Sequence, residues 1–256
     1  MTAVRPPALA IVLAALFCPA AASAQTIHNL ERNLPLEVQD TAFTDTGKLQ
    51  IQGAFVNELS DTSDRLSLQP SFQYGFAENA HVIAYSQIFN ADDDADERGS
   101  GDTYVGLFYN FLAEGRYLPS FAFQADLLAV PGEDNDGHDT ALTFIATKQF
   151  RTEPTEDRVH FNVRWDHNNE AATGEREDRF ECVLGYSRKV TDKTVLVLDL
   201  FRREEATEDE ESNMAEIGLL YQLSQHTVLG VGLGTGFGDE SPDTRFSLSF
   251  QFTLGS

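Results

Sequence analysis

The chain is poor in cysteine, in tryptophan, in basic residues and in long apolar runs. Of its 256 residues, two are cysteine and one is tryptophan. Cys18 lies in the N-terminal stretch read below as a targeting segment, which leaves Cys182 alone in the mature chain. An intramolecular disulfide is thereby excluded, although an exported compartment would permit one. Zinc sites assembled from several cysteines are excluded too. Lys and Arg number 18 against 41 Asp and Glu, for a formal charge of −23. Nucleic acid is not a partner for such a chain, because phosphate binding needs a basic face. The N-terminal apolar run, Ala8 to Phe17, is ten residues long. A membrane-spanning helix needs about 20, so this run does not span. No stretch beyond it shows helical spacing of apolar residues.

What is present begins with a secretory signal over residues 1–24. Arg5 supplies the positive start, Ala8 to Phe17 the apolar middle, and Ala22-Ser23-Ala24 the small-residue cleavage site before Gln25. Leu16-Phe17 and Pro19 around Cys18 do not suit a lipidated cysteine. Signal removal takes away Arg5, so the mature charge is 17 − 41 = −24. The acid is concentrated in blocks such as Asp92 to Glu97 and Glu204 to Glu211, separated by apolar-rich stretches with few charges.

Those stretches alternate with period two. Leu66, Leu68, Pro70, Phe72, Tyr74 and Phe76 share one face, opposite Arg65, Ser67, Gln69, Ser71 and Gln73. Phe246, Leu248, Phe250, Phe252 and Leu254 likewise oppose Ser247, Ser249, Gln251 and Thr253. Alternation of this kind is the mark of β-strands with one apolar and one polar face. Twelve such segments are predicted, at 48–58, 64–76, 81–89, 102–112, 118–130, 140–150, 158–167, 178–189, 194–203, 213–223, 227–237 and 244–254. Most match the roughly nine to eleven residues of a tilted transmembrane strand, and an even count suits a closed bacterial barrel.

The connections alternate as well. Short ones, such as Ala77 to Ala80 and Ser224 to His226, are followed by longer acidic ones, such as Asn90 to Gly101 and Glu204 to Ser212. Short periplasmic turns and long outer loops produce this pattern. Two aromatic belts fit the same frame. Tyr74, Phe76, Tyr109, Phe111, Tyr186, Tyr221 and Phe252 lie toward the short turns, and Trp165, Phe180, Phe237 and Phe246 toward the long loops. The expectation is therefore an all-β, up-and-down transmembrane barrel in the outer membrane, of about 12 strands, over residues 48–256. A soluble sandwich or barrel with its apolar faces inward is the alternative that periodicity alone leaves open.

Several stretches resemble a known family. Leu34 to Asp40 (LPLEVQD), Pro70 to Asn79 (PSFQYGFAEN), Val130-Pro131-Gly132 and the Gly-rich hairpin Leu219 to Phe237 are similar to outer-membrane proteins of the MetA-pathway of phenol degradation family. The likeness extends over most of residues 34–254 as a diffuse pattern. It implies a porin-like barrel that passes or binds small, aromatic or hydrophobic compounds, with no catalytic residues to carry over. Barrels of this kind often end on an aromatic residue, whereas Phe252 here is followed by Thr253-Leu254-Gly255-Ser256.

Inward-pointing residues are the candidates for function. The pattern places Asp126, His160, Asn162, Arg164, Asp166, Glu181, Asp199 and Glu216 in the lumen, with Gly230, Gly232 and Gly234 on one inner face. Mixed charge there either sets ion selectivity or forms a salt-bridge network that satisfies buried charge. Arg164 with Glu181 is the expected cross-strand pair. The glycines either widen the lumen or admit a close approach from a plug, or else relieve crowding where the wall bends. Residues 25–47 form either a periplasmic tail or that plug. Asp134 to Gly137 matches only part of a calcium loop, so no metal or other cofactor is expected. The expected partners are outer-membrane lipids and lipopolysaccharide (with loose divalent bridging), the barrel-assembly machinery and a small-molecule solute. Two competing functions remain open. One is a lipase-like barrel, for which His160 has no serine partner in the pattern. The other is an adhesive or structural barrel without a pore.

Overall fold

The structure is a computed structural model that describes residues 29–60, 64–92, 98–99, 101–131, 139–150, 155–238 and 241–255. The signal peptide and the calcium-loop-like stretch lie outside them. The described residues form strands β1 (Leu49–Leu59), β2 (Asp64–Ala77), β3 (Ala80–Ser86), β4 (Phe89–Asp92), β5 (Arg98–Gly99), β6 (Thr103–Leu112) and β7 (Ser120–Val130). They continue with β8 (Thr140–Gln149), β9 (Asp157–His167), β10 (Asp178–Thr191), β11 (Thr194–Glu204), β12 (Glu211–Gln222), β13 (Thr227–Gly236) and β14 (Thr244–Leu254). Each strand pairs antiparallel with its neighbours, and β1 pairs with both β2 and β14, so the sheet closes on itself.

The wall has twelve staves. β3 and β4 lie end to end along β2, with Ser71 opposite Tyr85 and Leu68 opposite Phe89. Gln87 and Ile88 interrupt the stave, but Ile88 N–H still donates to Leu68 O at 3.0 Å. β5 extends β6 outward and pairs with β4. The described residues of the stretch 90–101, expected to be loop, therefore contribute the outer ends of two staves. Among the described residues, closure pairs every long stave on both sides, and the two-residue β5 keeps one side unpaired.

Side-chain alternation decides which solvent the wall faces. On β8, Ala141, Thr143, Ile145 and Thr147 are buried, while Leu142 and Phe144 are exposed. On β13, Val228, Gly230, Gly232 and Gly234 point in, while Leu229, Val231 and Leu233 point out. Gln52, Gln73 and His160 are almost fully buried, whereas Leu184 and Leu200, mid-wall, are about half exposed. A monomer in water does not surround itself with such an apolar band. The greasy belt belongs in lipid tails, and Tyr74, Phe76, Tyr109, Phe111 and Tyr221 ring one boundary of it.

Residues 29–44 run inside the barrel, and the exposed residues 45–47 lead out to β1. Leu30, Leu36, Glu37, Val38, Asp40 and Thr44 are all buried there.

Candidate functional site

The inner segment is held by its own backbone. Val38 N–H donates to Asp199 Oδ2 at 3.0 Å. Gln39 N–H donates to Asn162 Oδ1 at 2.8 Å, and Asn162 Nδ2 returns a bond to Gln39 O at 2.9 Å. Thr41 N–H reaches Thr147 Oγ1 at 3.2 Å, and Asn110 Nδ2 donates to Thr41 O at 2.8 Å. Thr44 N–H donates to His81 Nδ1 at 3.2 Å, with the His81 ring stacked on Phe108. An irregular segment inside a barrel must satisfy its polar backbone through side chains of the wall, and these do so.

Apolar packing adds to this. Leu30, Leu36 and Val38 join Val183, Val195, Val197, Phe201, Met214, Leu220 and Val228 in one buried cluster. Two glycines make the approach possible. A Cβ at Gly185 would sit 2.3 Å from Val38 Cγ2, and one at Gly232 would sit 2.7 Å from Leu36 Cδ2.

Charge is concentrated at Glu37. Its carboxylate receives Arg245 at 2.6 Å, Arg203 at 2.8 Å and Arg32 at 2.9 Å. Glu181 takes Arg32 at 2.9 Å and Arg203 at 2.5 Å, and Glu216 takes Arg245 at 3.3 Å. Across the lumen, Arg164 is held by Asp166 at 2.8 Å and Asp126 at 3.3 Å, with Tyr85 Oη 3.4 Å away. Buried charges in such networks are tolerable because each has a partner.

The inner segment also carries two carboxyls with raised pKa values. Burial, then the charge of Asp40, pushes Glu31 up to about 8. Burial pushes Asp40 up to about 6, against the pull of Arg158.

The inward residues named from the sequence are placed as follows. Asp126, Arg164 and Asp166 form one group, and Glu181 and Glu216 belong to the Glu37 network. Asn162 and Asp199 hold the inner segment. Gly230 and Gly232 face Pro35 and Leu36, and Gly234 faces Glu216. Two expectations need correction. Arg164 and Glu181 are opposite in register yet do not pair, because Asp126 and Asp166 take the arginine while Arg32 and Arg203 take the glutamate. His160 does have a serine partner. Its Nε2 is 2.9 Å from Ser187 Oγ, and its Nδ1 is 3.1 Å from Thr147 Oγ1. Histidine and serine are both buried, so the pair is a structural bond within the wall.

A family model described as "Putative MetA-pathway of phenol degradation" matches residues 32–254. The chain belongs to this family. No curated protein matches the sequence. Among solved structures, the COG4313 outer membrane channel from Pseudomonas putida F1 is similar at a TM-score of 0.64 and 12% identity, over 88% of this chain and 100% of that one. The KdgM porin follows at 0.53 and 14%, over 79% and 99%. The NanC porin follows at 0.54 and 8%, over 80% and 100%. These likenesses concern the fold: an outer-membrane barrel.

The interior is polar over part of its wall and apolar over the rest. Sequence reading found its polar wall but missed Arg32, Glu37, Arg203 and Arg245, the centre of the ion network. It also missed the apolar inner face of β10 to β13. A signal for the latter exists in β11. Val195, Val197 and Phe201 point in while Leu196, Leu198 and Leu200 point out, so the strand is apolar on both faces. A strand covered on both sides reads this way, here by lipid outside and by the inner segment within.

Proposed function

We propose that the protein is an outer-membrane channel for small solutes, whose conducting path opens when residues 29–47 shift against the wall. The observation that carries this is the pairing of a lipid-facing exterior with a polar interior filled by a segment of the same chain that makes no strand ladder. Side-chain hydrogen bonds, the ion pairs of Glu37 and Arg32 and one apolar cluster hold the segment, and such side-chain contacts open more readily than a strand ladder. An adhesive barrel has no need of a polar hollow. An enzyme needs its catalytic groups open to substrate, and the His160–Ser187 pair is closed off. Lipopolysaccharide on the outer leaflet and the assembly machinery at the periplasmic side are the partners this reading brings with it.

The test is ion conductance and liposome swelling with the refolded protein, side by side with a variant lacking residues 25–42. The deletion should raise conductance severalfold. Two forms that are equally silent to ions and small sugars would sink the channel reading.

A further inference from the structure

Basic residues are few in this acidic chain, and the lysines are placed one-sidedly. All four stand at the short-turn end of the wall. Lys48 precedes β1, Lys148 is near the end of β8, and Lys189 and Lys193 flank the β10–β11 turn. The acid block Glu204 to Glu211 lies at the opposite end, between β11 and β12. Lys148 is on the lipid-facing side of the wall, on the parity of the exposed Leu142 and Phe144.

Lys148 and Arg116 form one corner of this boundary. Lys148 Nζ donates to Glu114 Oε1 at 2.7 Å and to Gly115 O at 2.8 Å. An ammonium has three donors, so one is left for a ligand. The same Glu114 oxygen also accepts the N–H of Gln149 at 3.0 Å. Gly115 N–H donates to Leu118 O at 3.1 Å, which sets Arg116 and Tyr117 at the exposed tip of the loop between β6 and β7. Arg116 directly follows the carbonyl that Lys148 grips, so the two cations are neighbours. Arg116 Cζ lies 5.2 Å from the Tyr117 ring centroid, and no carboxylate among the described residues pairs with it. With Glu114 counted, the corner carries 2 − 1 = +1. Toward the bilayer centre the outer face turns aromatic. Ring centroids are 5.5 Å apart for Phe121 and Phe144, 6.2 Å for Phe111 and Phe121, and 6.4 Å for Phe111 and Phe144. Ala146, opposite Phe121 in register, leaves low ground between Phe144 and Lys148.

We propose that this corner of the wall binds one anionic glycerophospholipid, its phosphate between Arg116 and Lys148 and its acyl chains along Phe111, Phe121 and Phe144. Lys148 and Phe144 are four residues apart on one strand, about 13 Å at the usual rise, which is the drop from a headgroup to the upper chains. A guanidinium pairs with a phosphate through two parallel hydrogen bonds, and an ammonium adds a compact point charge beside it. The single net positive charge of the corner matches a phosphodiester. A zwitterionic headgroup brings a second cation to the same place and gains less. Basic residues at a membrane surface attract anionic lipid in this way. The site needs only the lipid-facing placement of the wall and holds whether or not the lumen conducts.

The probe is phosphatidylglycerol, added to the purified barrel in neutral detergent and counted on the folded protein by native mass spectrometry. Phosphatidylcholine with the same chains is the control. The barrel should retain one phosphatidylglycerol, severalfold more firmly than phosphatidylcholine. The double variant R116Q/K148Q should bind phosphatidylglycerol about tenfold more weakly or worse, the loss expected for two basic contacts. R116Q alone keeps the Lys148–Glu114 bond and should lose part of that affinity. K193Q removes the same charge from the same boundary, in the β10–β11 turn away from the corner, and should bind as the wild type does. Equal retention of the two lipids, no retained lipid, unchanged affinity in R116Q, or a loss in K193Q as large as in R116Q would each overturn the proposal.

Discussion

Glu37 of the inner segment accepts a 2.6 Å bond from Arg245 of β14, two residues separated by most of the chain and both almost fully buried. Arg203 and Arg32 converge on the same carboxylate. This makes Glu37 the strongest single tie between segment and wall. Replacing it by glutamine keeps the volume and removes the charge that three arginines share. Breaking a buried pair costs about 3–5 kcal/mol. Arg245 retains Glu216 and Glu58 as partners, so the lower end of that range is expected. Glu37→Gln should raise single-channel open probability and lower the urea midpoint of the folded barrel. Wild-type gating in this variant would show that apolar packing alone holds the segment.

That packing can be tested through Gly185 and Val38. A methyl group at residue 185 has no room while Val38 is present. Overpacking of this kind costs about 1–3 kcal/mol. Gly185→Ala should loosen the segment, read as faster proteolysis of residues 29–47 in the folded protein. Val38→Ala in the same molecule should restore part of the protection. Two independent, additive effects would mean that the residues do not touch.

These pairs also show what was legible in the sequence. The barrel was legible because lipid outside and polar groups inside impose strict alternation on every stave, as in Phe246 to Leu254. The alternating loop lengths then gave the expectation of short periplasmic turns and long outer loops. The ion network was not legible, because Arg32 and Glu37 belong to a segment without periodicity, and their partners on β10 to β14 are fixed only by closure of the ring. The Arg164–Glu181 expectation failed for the same reason. Register puts the two side by side, but which acid an arginine takes depends on side chains from other staves and from the interior. The glycine row told only that something small was required. What stands against it is Pro35-Leu36, far away in the chain.

The lipid-facing band makes a separate prediction. Leu184 is at the middle of β10, about half exposed, between Phe161 on β9 and Leu200 on β11. Arginine on the lipid face of a barrel costs about 2–4 kcal/mol at the bilayer midplane. Leu184→Arg should therefore destabilise the protein folded into phospholipid vesicles by about that amount. Leu223→Arg, in the short turn after β12, should cost about 1 kcal/mol or less by the same depth rule. Equal costs at the two positions would contradict the transmembrane placement of the wall.

Glu31 links the inner segment to pH. Buried beside Asp40, with Asp126 of β7 nearby and Arg158 of β9 drawing on Asp40, it titrates near 8 in place of its ordinary 4.5. The raised value means that the docked segment prefers Glu31 protonated. Once released into water, the residue returns to its ordinary value and gives up the proton. Docking is therefore strongest below pH 4.5 and weakens as pH rises toward 8, where the docked form too must carry the charge. Asp40, pushed up to about 6, acts in the same direction over a narrower window. Conductance in planar bilayers should accordingly be low at pH 5 and rise through pH 8. Glu31→Gln stays uncharged at every pH and keeps the hydrogen-bonding shape. It should flatten most of the rise and leave only the part between about pH 4 and 6 that belongs to Asp40. An unchanged pH profile in that variant would show that Glu31 does not govern how firmly the segment is seated.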